Sequence, residues 1–185
     1  MIALVGLPGS GKTTVGRQLA RRLNIGFVDS DPAIEQRIGC SIREFFEREG
    51  EETFRDVEQQ VIDDLTRTHS GVLSTGGGAV LRPHNREHLR TRGQVVYLRS
   101  NPEEVFRRLR HDQNRPLLQV GNPLTRLRDL FTVRDPLYRE TAHFVIETGR
   151  PSVATLVNMI IMQLELAGVS PSAVADSGAV PAPNS

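Results

Sequence analysis

The segment GLPGSGKT at residues 6–13 brings glycines, a lysine and a hydroxyl side chain together at fixed spacing. It fits the pattern G-x-x-x-x-G-K-[ST], in which backbone N–H groups surround phosphate oxygens, the lysine reaches the transferred phosphate and the hydroxyl binds Mg²⁺. An apolar stretch precedes the pattern and a helical stretch follows it, which disfavours a plain glycine-rich turn. The sequence therefore predicts a nucleoside triphosphate site, whose candidate residues are Gly9, Ser10, Gly11, Lys12, Thr13 and Thr14.

Lys12 is the single lysine in a chain with 22 arginines. A need for a compact ammonium would explain this, because a planar guanidinium cannot take its place. Biased codon usage with one chance survivor is the alternative. We predict that Lys12 contributes to catalysis as well as to phosphate binding.

Two acids stand where a predicted strand ends. IGFVD at residues 25–29 reads as a strand, and Asp29 and Asp31 lie at its carboxyl end, where parallel sheets bind their ligands. One carboxylate could hold Mg²⁺, and the other could accept a proton from an acceptor hydroxyl. The alternatives are that Asp29 is a solvated strand end and that Asp31 is the N-cap of a helix with Pro32 at its first position.

Three glycines follow the next predicted strand, GVLST at residues 71–75, and no acid is present at its tip. Gly76, Gly77 and Gly78 would permit close approach of the backbone, allow positive φ and offer N–H groups to a ligand. A flexible turn is the alternative.

An arginine and a glutamate are three residues apart on a predicted amphipathic helix at residues 51–65. Arg55 and Glu58 would be neighbours there, so the glutamate could orient the guanidinium toward a substrate carboxylate. A weak surface ion pair is the alternative.

Four more arginines could contact anions or a purine ring. Arg115 in RPLL could stabilise charge during phosphoryl transfer, and Arg134 in RDPLY could bind a second anionic group. Arg108 and the Arg150-Pro151 step could flank a purine. Solvated surface charges are the alternative for each of them.

Strand and helix patterns alternate along the chain, which predicts an α/β fold with a parallel sheet covered on both faces. Residues 1–167 would form a single kinase domain. A polar, basic loop at about 110–123 would be a mobile lid, and the Pro- and Ser-rich segment 168–185 would be a disordered tail.

The composition is that of an ordinary soluble protein. A formal net charge of +1 over 185 residues argues against a nucleic-acid surface, and the single cysteine excludes an internal disulfide. The longest apolar run, at 153–168, is too short to span a membrane, and the strand-like start leaves no room for a signal peptide. We therefore expect a cytoplasmic protein without nucleic-acid or membrane partners.

Taken together, these motifs resemble the shikimate kinases. GLPGSGKTT, FVDSD, TGGG, RPLL and RDPLY occur in the order found in that family. The resemblance implies a P-loop NTPase fold like that of the nucleoside monophosphate kinases, with five parallel strands in the order 2-3-1-4-5. It also implies transfer of the ATP γ-phosphoryl group to the 3-hydroxyl of shikimate, in the pathway to chorismate and the aromatic amino acids. We expect a monomer.

The resemblance assigns each candidate residue a role. The catalytic residues would be Asp31, as the base, with Lys12 and Arg115. ATP would contact Gly9, Ser10, Gly11, Lys12, Thr13, Thr14, Arg108, Arg115 and Arg150. One Mg²⁺ ion per subunit would bind near Thr13 and Asp29. Shikimate would contact Asp31, Arg55, Gly76, Gly77, Gly78 and Arg134.

Two alternatives stay open at this point. The acceptor could be gluconate or a nucleoside monophosphate, since an arginine would also suit a sugar acid. The chain could instead be a non-catalytic nucleotide-binding switch, although the intact base, lid and acceptor residues speak against that.

Overall fold

The computed structural model describes residues 1–110 and 121–170 as alternating strands and helices. The strands in these ranges are β1 (Ile2–Val5), β2 (Phe27–Asp29), β3 (Val72–Ser74), β4 (Gln94–Arg99) and β5 (Phe144–Glu147). The helices are α1 (Lys12–Leu23), α2 (Ser30–Ile38), α3 (Ile42–Thr68), α4 (Pro83–Arg92), α5 (Pro102–Leu109), α6 (Pro123–Thr141) and α7 (Val153–Leu166). None of the helices described is long and apolar enough to cross a membrane.

The five strands form one parallel sheet in the order β2-β3-β1-β4-β5. The central strand β1 is buried along its whole length, because helices cover both faces of the sheet. Its side chains alternate between two cores. Ala3 and Val5 face a core completed by α3 to α6, whereas Ile2 and Leu4 face a core completed by α1 and α7. The predicted fold class and strand order are confirmed.

The strand register brings three chain segments to one edge of the sheet. Asp29 at the end of β2 pairs with Ser74 of β3, and Ser74 also pairs with Leu4 of β1. The phosphate-binding loop, the two acids and the three glycines each follow one of these strands. Because parallel strands end at the same edge, these segments meet although they are far apart in sequence.

The start of α2 differs from the prediction. Asp29 is the N-cap, because its Oδ1 accepts the Asp31 N–H at 3.0 Å and the helix begins directly at Ser30. The reading of Asp31 as the N-cap is therefore wrong: β2 runs into the helix without an intervening loop. Pro32 falls within the first turn, where a missing N–H removes no helical hydrogen bond. The Asp31 carboxylate is left available for other contacts.

Helix α3 joins two helices that were predicted separately. Ser41 caps its start, with Oγ accepting the Glu44 N–H at 3.1 Å. Gly50 interrupts the helix with φ 83° and ψ 172°, a conformation that favours glycine. Beyond this kink, Phe54 and Val61 pack in a third core cluster shared with α2. This packing holds the second half of α3, which carries the predicted arginine and glutamate.

The predicted lid and tail lie mostly outside the described residues. The structure does not describe positions 111–120, which include Arg115, or positions 171–185. The first residues assigned to the tail are described: Val169 packs against the core formed by α1 and α7, and its N–H donates to the Leu164 carbonyl at 2.9 Å.

Candidate active site

A cavity of about 420 Å³ opens at the carboxyl ends of β1, β2 and β3. The phosphate-binding loop, Asp29, Asp31, Gly76 and Gly77 all line this cavity. The position is where α/β sheets bind ligands, and the volume suits a small molecule. Residues from three distant stretches of sequence are thus assembled around one space.

Glycine geometry and Lys12 shape the phosphate-binding loop. Gly9 and Gly11 have φ of 82° and 93°, which residues with side chains adopt rarely. Lys12 Nζ donates to the carbonyls of Gly6 and Leu7 at 2.8 Å each, and the residue is only 7% exposed. A compact ammonium fits between these carbonyls. The arrangement supports the interpretation that this position requires lysine.

Thr13 and Asp29 form the pair expected at a metal site. Thr13 Oγ1 donates to Asp29 Oδ2 at 2.8 Å, so a hydroxyl and a carboxylate oxygen lie side by side in the cavity wall. Mg²⁺ binds such oxygens and commonly takes its other ligands from water and phosphate. In the described ranges, no group of three His, Cys, Asp or Glu side chains is placed to hold a metal. The pair fits an ion that shares its ligands with a nucleotide.

Asp31 is a partly buried acid in the same wall. Burial, followed by the charge of Asp29, raises the pKa of Asp31 from 3.8 to about 6, while Lys12 opposes the increase. A carboxylate with this pKa is largely ionised at neutral pH and can accept a proton from an alcohol. Asp31 therefore has both the place and the basicity of a general base.

Arg55 and Glu58 form a buried ion pair behind the glycines. Arg55 Nη1 donates to Glu58 Oε1 at 2.8 Å, and the two side chains are 11% and 2% exposed. Burial raises the pKa of Glu58, and the Arg55 charge opposes the increase. The alternative of a solvated surface pair is wrong, because both charges are held out of water. Arg55 Nε is buried and has no hydrogen-bond partner among the described residues.

The three glycines are required by their neighbours. None of them has a positive φ, so the expected use of left-handed backbone is wrong. A Cβ on Gly76 would lie 2.7 Å from Asp31 Oδ1, and one on Gly78 would lie 2.6 Å from Arg55 Cζ. A side chain at either position would displace the acid or the guanidinium, because both lie directly against the main chain.

Some backbone polar groups of this glycine turn, residues 76–78, already have hydrogen-bond partners within the protein. The Gly76 N–H donates to Ser30 Oγ at 3.0 Å, so it does not offer a ligand the free amide that was expected. The Gly77 carbonyl accepts the Tyr138 hydroxyl at 2.6 Å. The amides of Gly77 and Gly78 donate to no group in the described ranges, and of these two residues Gly77 lines the cavity whereas Gly78 is buried.

Arg134 reaches the glycine turn from α6. A Cβ on Gly77 would lie 3.2 Å from Arg134 Nη1, so this guanidinium lies beside the middle glycine while Arg55 lies beside Gly78. Both arginines adjoin the cavity rather than forming its lining. Two guanidinium groups therefore flank the turn.

A family model described as shikimate kinase matches residues 8–165. The chain belongs to the shikimate kinase family. The shikimate kinase of Paracidovorax citrulli is 65% identical over 173 residues, which cover 92% of this chain and 94% of the relative. That of Ralstonia nicotianae is 61% identical over 168 residues, covering 91% of this chain and 88% of the relative. The predicted resemblance is confirmed.

Solved structures agree with this assignment. A shikimate kinase from Acinetobacter baumannii in complex with shikimate superposes with a TM-score of 0.84 at 50% identity, covering 90% of this chain and 93% of that one. A gluconokinase from Sinorhizobium meliloti, at 16% identity and a TM-score of 0.54, covers 90% and 91% and shares the fold alone.

The three arginines that were predicted to contact ATP outside the phosphate-binding loop lie in different places. Arg108 Nη1 donates to the Ser10 carbonyl at 3.2 Å, Nη2 donates to the Thr148 carbonyl at 3.5 Å, and the residue lines the cavity. Arg150 is exposed after β5 and does not line the cavity. Arg115 lies outside the described residues.

Sequence reasoning missed three residues of the site. Ser30 holds the first glycine amide, Thr75 lines the cavity, and Tyr138 supports the glycine turn. Tyr138 could have been found, because it follows Arg134 by four residues and so shares its helix face. Nothing in the sequence marks Ser30 or Thr75, since their partners are 46 and 71 residues away.

Proposed function

We propose that this shikimate kinase transfers the γ-phosphoryl group of ATP to the 3-hydroxyl of shikimate, in aromatic amino acid biosynthesis. One observation carries the proposal: a base and a guanidinium both lie against one glycine turn. A Cβ on Gly76 would meet Asp31, and one on Gly78 would meet Arg55. A ligand on this turn could present a hydroxyl to the base and a carboxylate to the cation.

The acceptor side suits a small carboxylic acid. A guanidinium can bind a carboxylate with two parallel hydrogen bonds, and Arg55 and Arg134 flank the turn from two directions. The buried Glu58 restrains the Arg55 side chain, which reduces the entropy lost on binding. The Gly77 amide adds a main-chain donor.

The donor side suits a triphosphate. The loop amides and the N-terminus of α1 favour phosphate oxygens, and Lys12 adds a positive charge. Thr13 and Asp29 would hold Mg²⁺, which neutralises phosphate charge when bound. Arg108 lines the cavity next to this loop. Contacts from Arg115 and Arg150 to the nucleotide remain predictions.

Asp31 would accept the proton of the acceptor hydroxyl as its oxygen attacks phosphorus. With a pKa of about 6, roughly nine tenths of the Asp31 carboxyls are ionised at pH 7. We expect kcat/KM to decrease below about pH 6, because the protonated acid cannot serve as the base. A pH profile of the initial rate checks this, and a rate that stays constant from about pH 7 to pH 5 would exclude Asp31 as the base.

An assay of ADP release tests the proposed reaction against its alternatives. Parallel reactions contain shikimate, gluconate, AMP or no acceptor. We expect shikimate alone to stimulate ADP release far above the reaction without acceptor. Stimulation by gluconate or AMP instead would reassign the acceptor, and no stimulation by any of them would favour a non-catalytic nucleotide switch.

Replacement of Arg55 tests the acceptor site. In Arg55→Ala we expect the shikimate KM to increase by about 10² or more, because a buried charge contact is lost, and the ATP KM to change little. Arg43→Ala is the matched control, since Arg43 is an exposed arginine on the same helix. Equal increases in both KM values would contradict the assignment.

The monomeric state and the cytoplasmic location remain predictions. Gel filtration with light scattering measures the first, and fractionation of cells measures the second. A stable dimer would contradict the expectation of a monomer.

A further inference from the structure

Asp135 is a largely buried carboxylate of α6 without a part in the proposed chemistry. Its side chain is 16% exposed. Tyr97 Oη donates to Oδ1 at 2.7 Å, Arg99 Nε donates to the same oxygen at 3.1 Å, and Arg139 Nε donates to Oδ2 at 3.0 Å. Burial alone would raise the pKa of Asp135, but these hydrogen bonds outweigh it and lower the pKa. The group is therefore a fixed anion at neutral pH.

The middle of helix α6 packs on the core through side chains that are only partly buried. Leu127 and Tyr138 are fully buried. Three side chains between them are partly buried against the same core: Leu130, Phe131 and Leu137. Pro136 lacks an N–H, which removes one helical hydrogen bond next to Asp135. The two bonds from β4 therefore tie the middle of the helix to the sheet.

This attachment lies one residue from an arginine of the acceptor site. Neighbouring helical residues point about 100° apart, so Asp135 faces β4 while Arg134 faces Gly77. The Tyr138 hydroxyl donates to the Gly77 carbonyl, and the Tyr138 ring packs on Tyr97 with centroids 4.9 Å apart. Rotation of α6 that broke the Asp135 bonds would carry the Arg134 guanidinium away from the glycine turn.

We propose that Asp135 is a positioning residue that sets the affinity for the acceptor by placing Arg134. The inference rests on the proposed function, in which Arg134 binds the shikimate carboxylate. Asp135 does not line the cavity, so its effect passes through the helix. The phosphate-binding loop follows β1, so we expect the same rotation to change nucleotide binding less than acceptor binding.

The test compares KM values for shikimate and ATP in two variants. Asp135→Asn removes the charge, and Tyr97→Phe removes one donor but keeps the ring. We expect the shikimate KM to increase about tenfold in D135N and less in Y97F, with the ATP KM unchanged. Glu140→Gln is the matched control, because Glu140 is an exposed acid of the same helix. It should change neither constant.

A double-mutant cycle separates positioning from a general loss of structure. Because Asp135 acts through Arg134, D135N should add no further increase in shikimate KM to Arg134→Ala. Equal increases in both KM values, or a D135N effect that persists in R134A, would overturn the inference. If D135N does not fold, Y97F supplies the same comparison.

The result also distinguishes this inference from the proposed function. Wild-type protein that fails to phosphorylate shikimate would refute both. Wild-type activity together with unchanged KM values in D135N and Y97F would refute the positioning role alone.

Discussion

Replacing Asp31 by asparagine should stabilise the protein at neutral pH while removing its base. Burial and the charge of Asp29 raise the Asp31 pKa from 3.8 to about 6. A raised pKa means that the folded chain disfavours the ionised form. At pH 7 the charge on Asp31 therefore destabilises the fold, a cost that is common where an acid is kept for its chemistry.

The two pKa values set the size and the pH range of this effect. Between about pH 4 and about pH 6 the Asp31 carboxyl binds more protons in the folded chain than in the unfolded chain, so its contribution to stability decreases as the pH rises. The interval from 3.8 to about 6 corresponds to about 3 kcal/mol, at about 1.4 kcal/mol per pKa unit. Asparagine cannot ionise. The stability of Asp31→Asn relative to wild type should therefore increase by that amount over this range and stay constant above it.

Urea unfolding followed by circular dichroism measures the difference. The titrations run from about pH 4 to about pH 8 without metal or nucleotide. Asp129→Asn is the matched control for the loss of one carboxylate, because Asp129 is exposed on α6. A constant difference for D31N, or a D31N protein less stable than wild type at about pH 8, would refute the reasoning. In the same variant, kcat should fall by about 10² or more while ATP binding is retained.

Three further predictions follow from single contacts. Gly78→Ala should increase the shikimate KM and leave the ATP KM unchanged, because the new Cβ would displace the Arg55 guanidinium; an unchanged shikimate KM would show that this approach is not needed. Lys12→Arg should abolish ATP binding measured by calorimetry, because the larger group does not fit among the loop carbonyls; normal affinity would contradict the need for an ammonium. Burial, then the charge of Arg90, lowers the pKa of His143, whose Nδ1 accepts the Val95 N–H. The stability that neutral His143 contributes should therefore be lost as the pH falls below about 6.5, and the stability of His143→Gln relative to wild type should increase over that range in urea titrations; a constant difference would exclude this histidine.

The nucleotide half of the site could be predicted from the sequence. The phosphate-binding loop is one continuous stretch, and its contacts are local: Lys12 bonds to carbonyls five and six residues away. Conformations of this kind depend on glycine positions and short-range hydrogen bonds, which a sequence displays directly. The alternation of strands and helices could also be predicted from the sequence, because burial on both faces makes the strands mostly apolar.

The acceptor half of the site depends on packing between segments that are far apart in sequence. Arg55 and Glu58 have the spacing of an ordinary surface pair, and their burial depends on the glycine turn packed over them. Asp31 reads as a helix cap until the end of β2 is seen to give that role to Asp29. The pKa of an ionisable group and the strength of its interactions depend on its exposure to solvent and on the charges around it. Residues distant in sequence determine both. Local sequence patterns identify the side chains that could take part in binding or catalysis. Long-range packing determines the burial, basicity and orientation of those side chains.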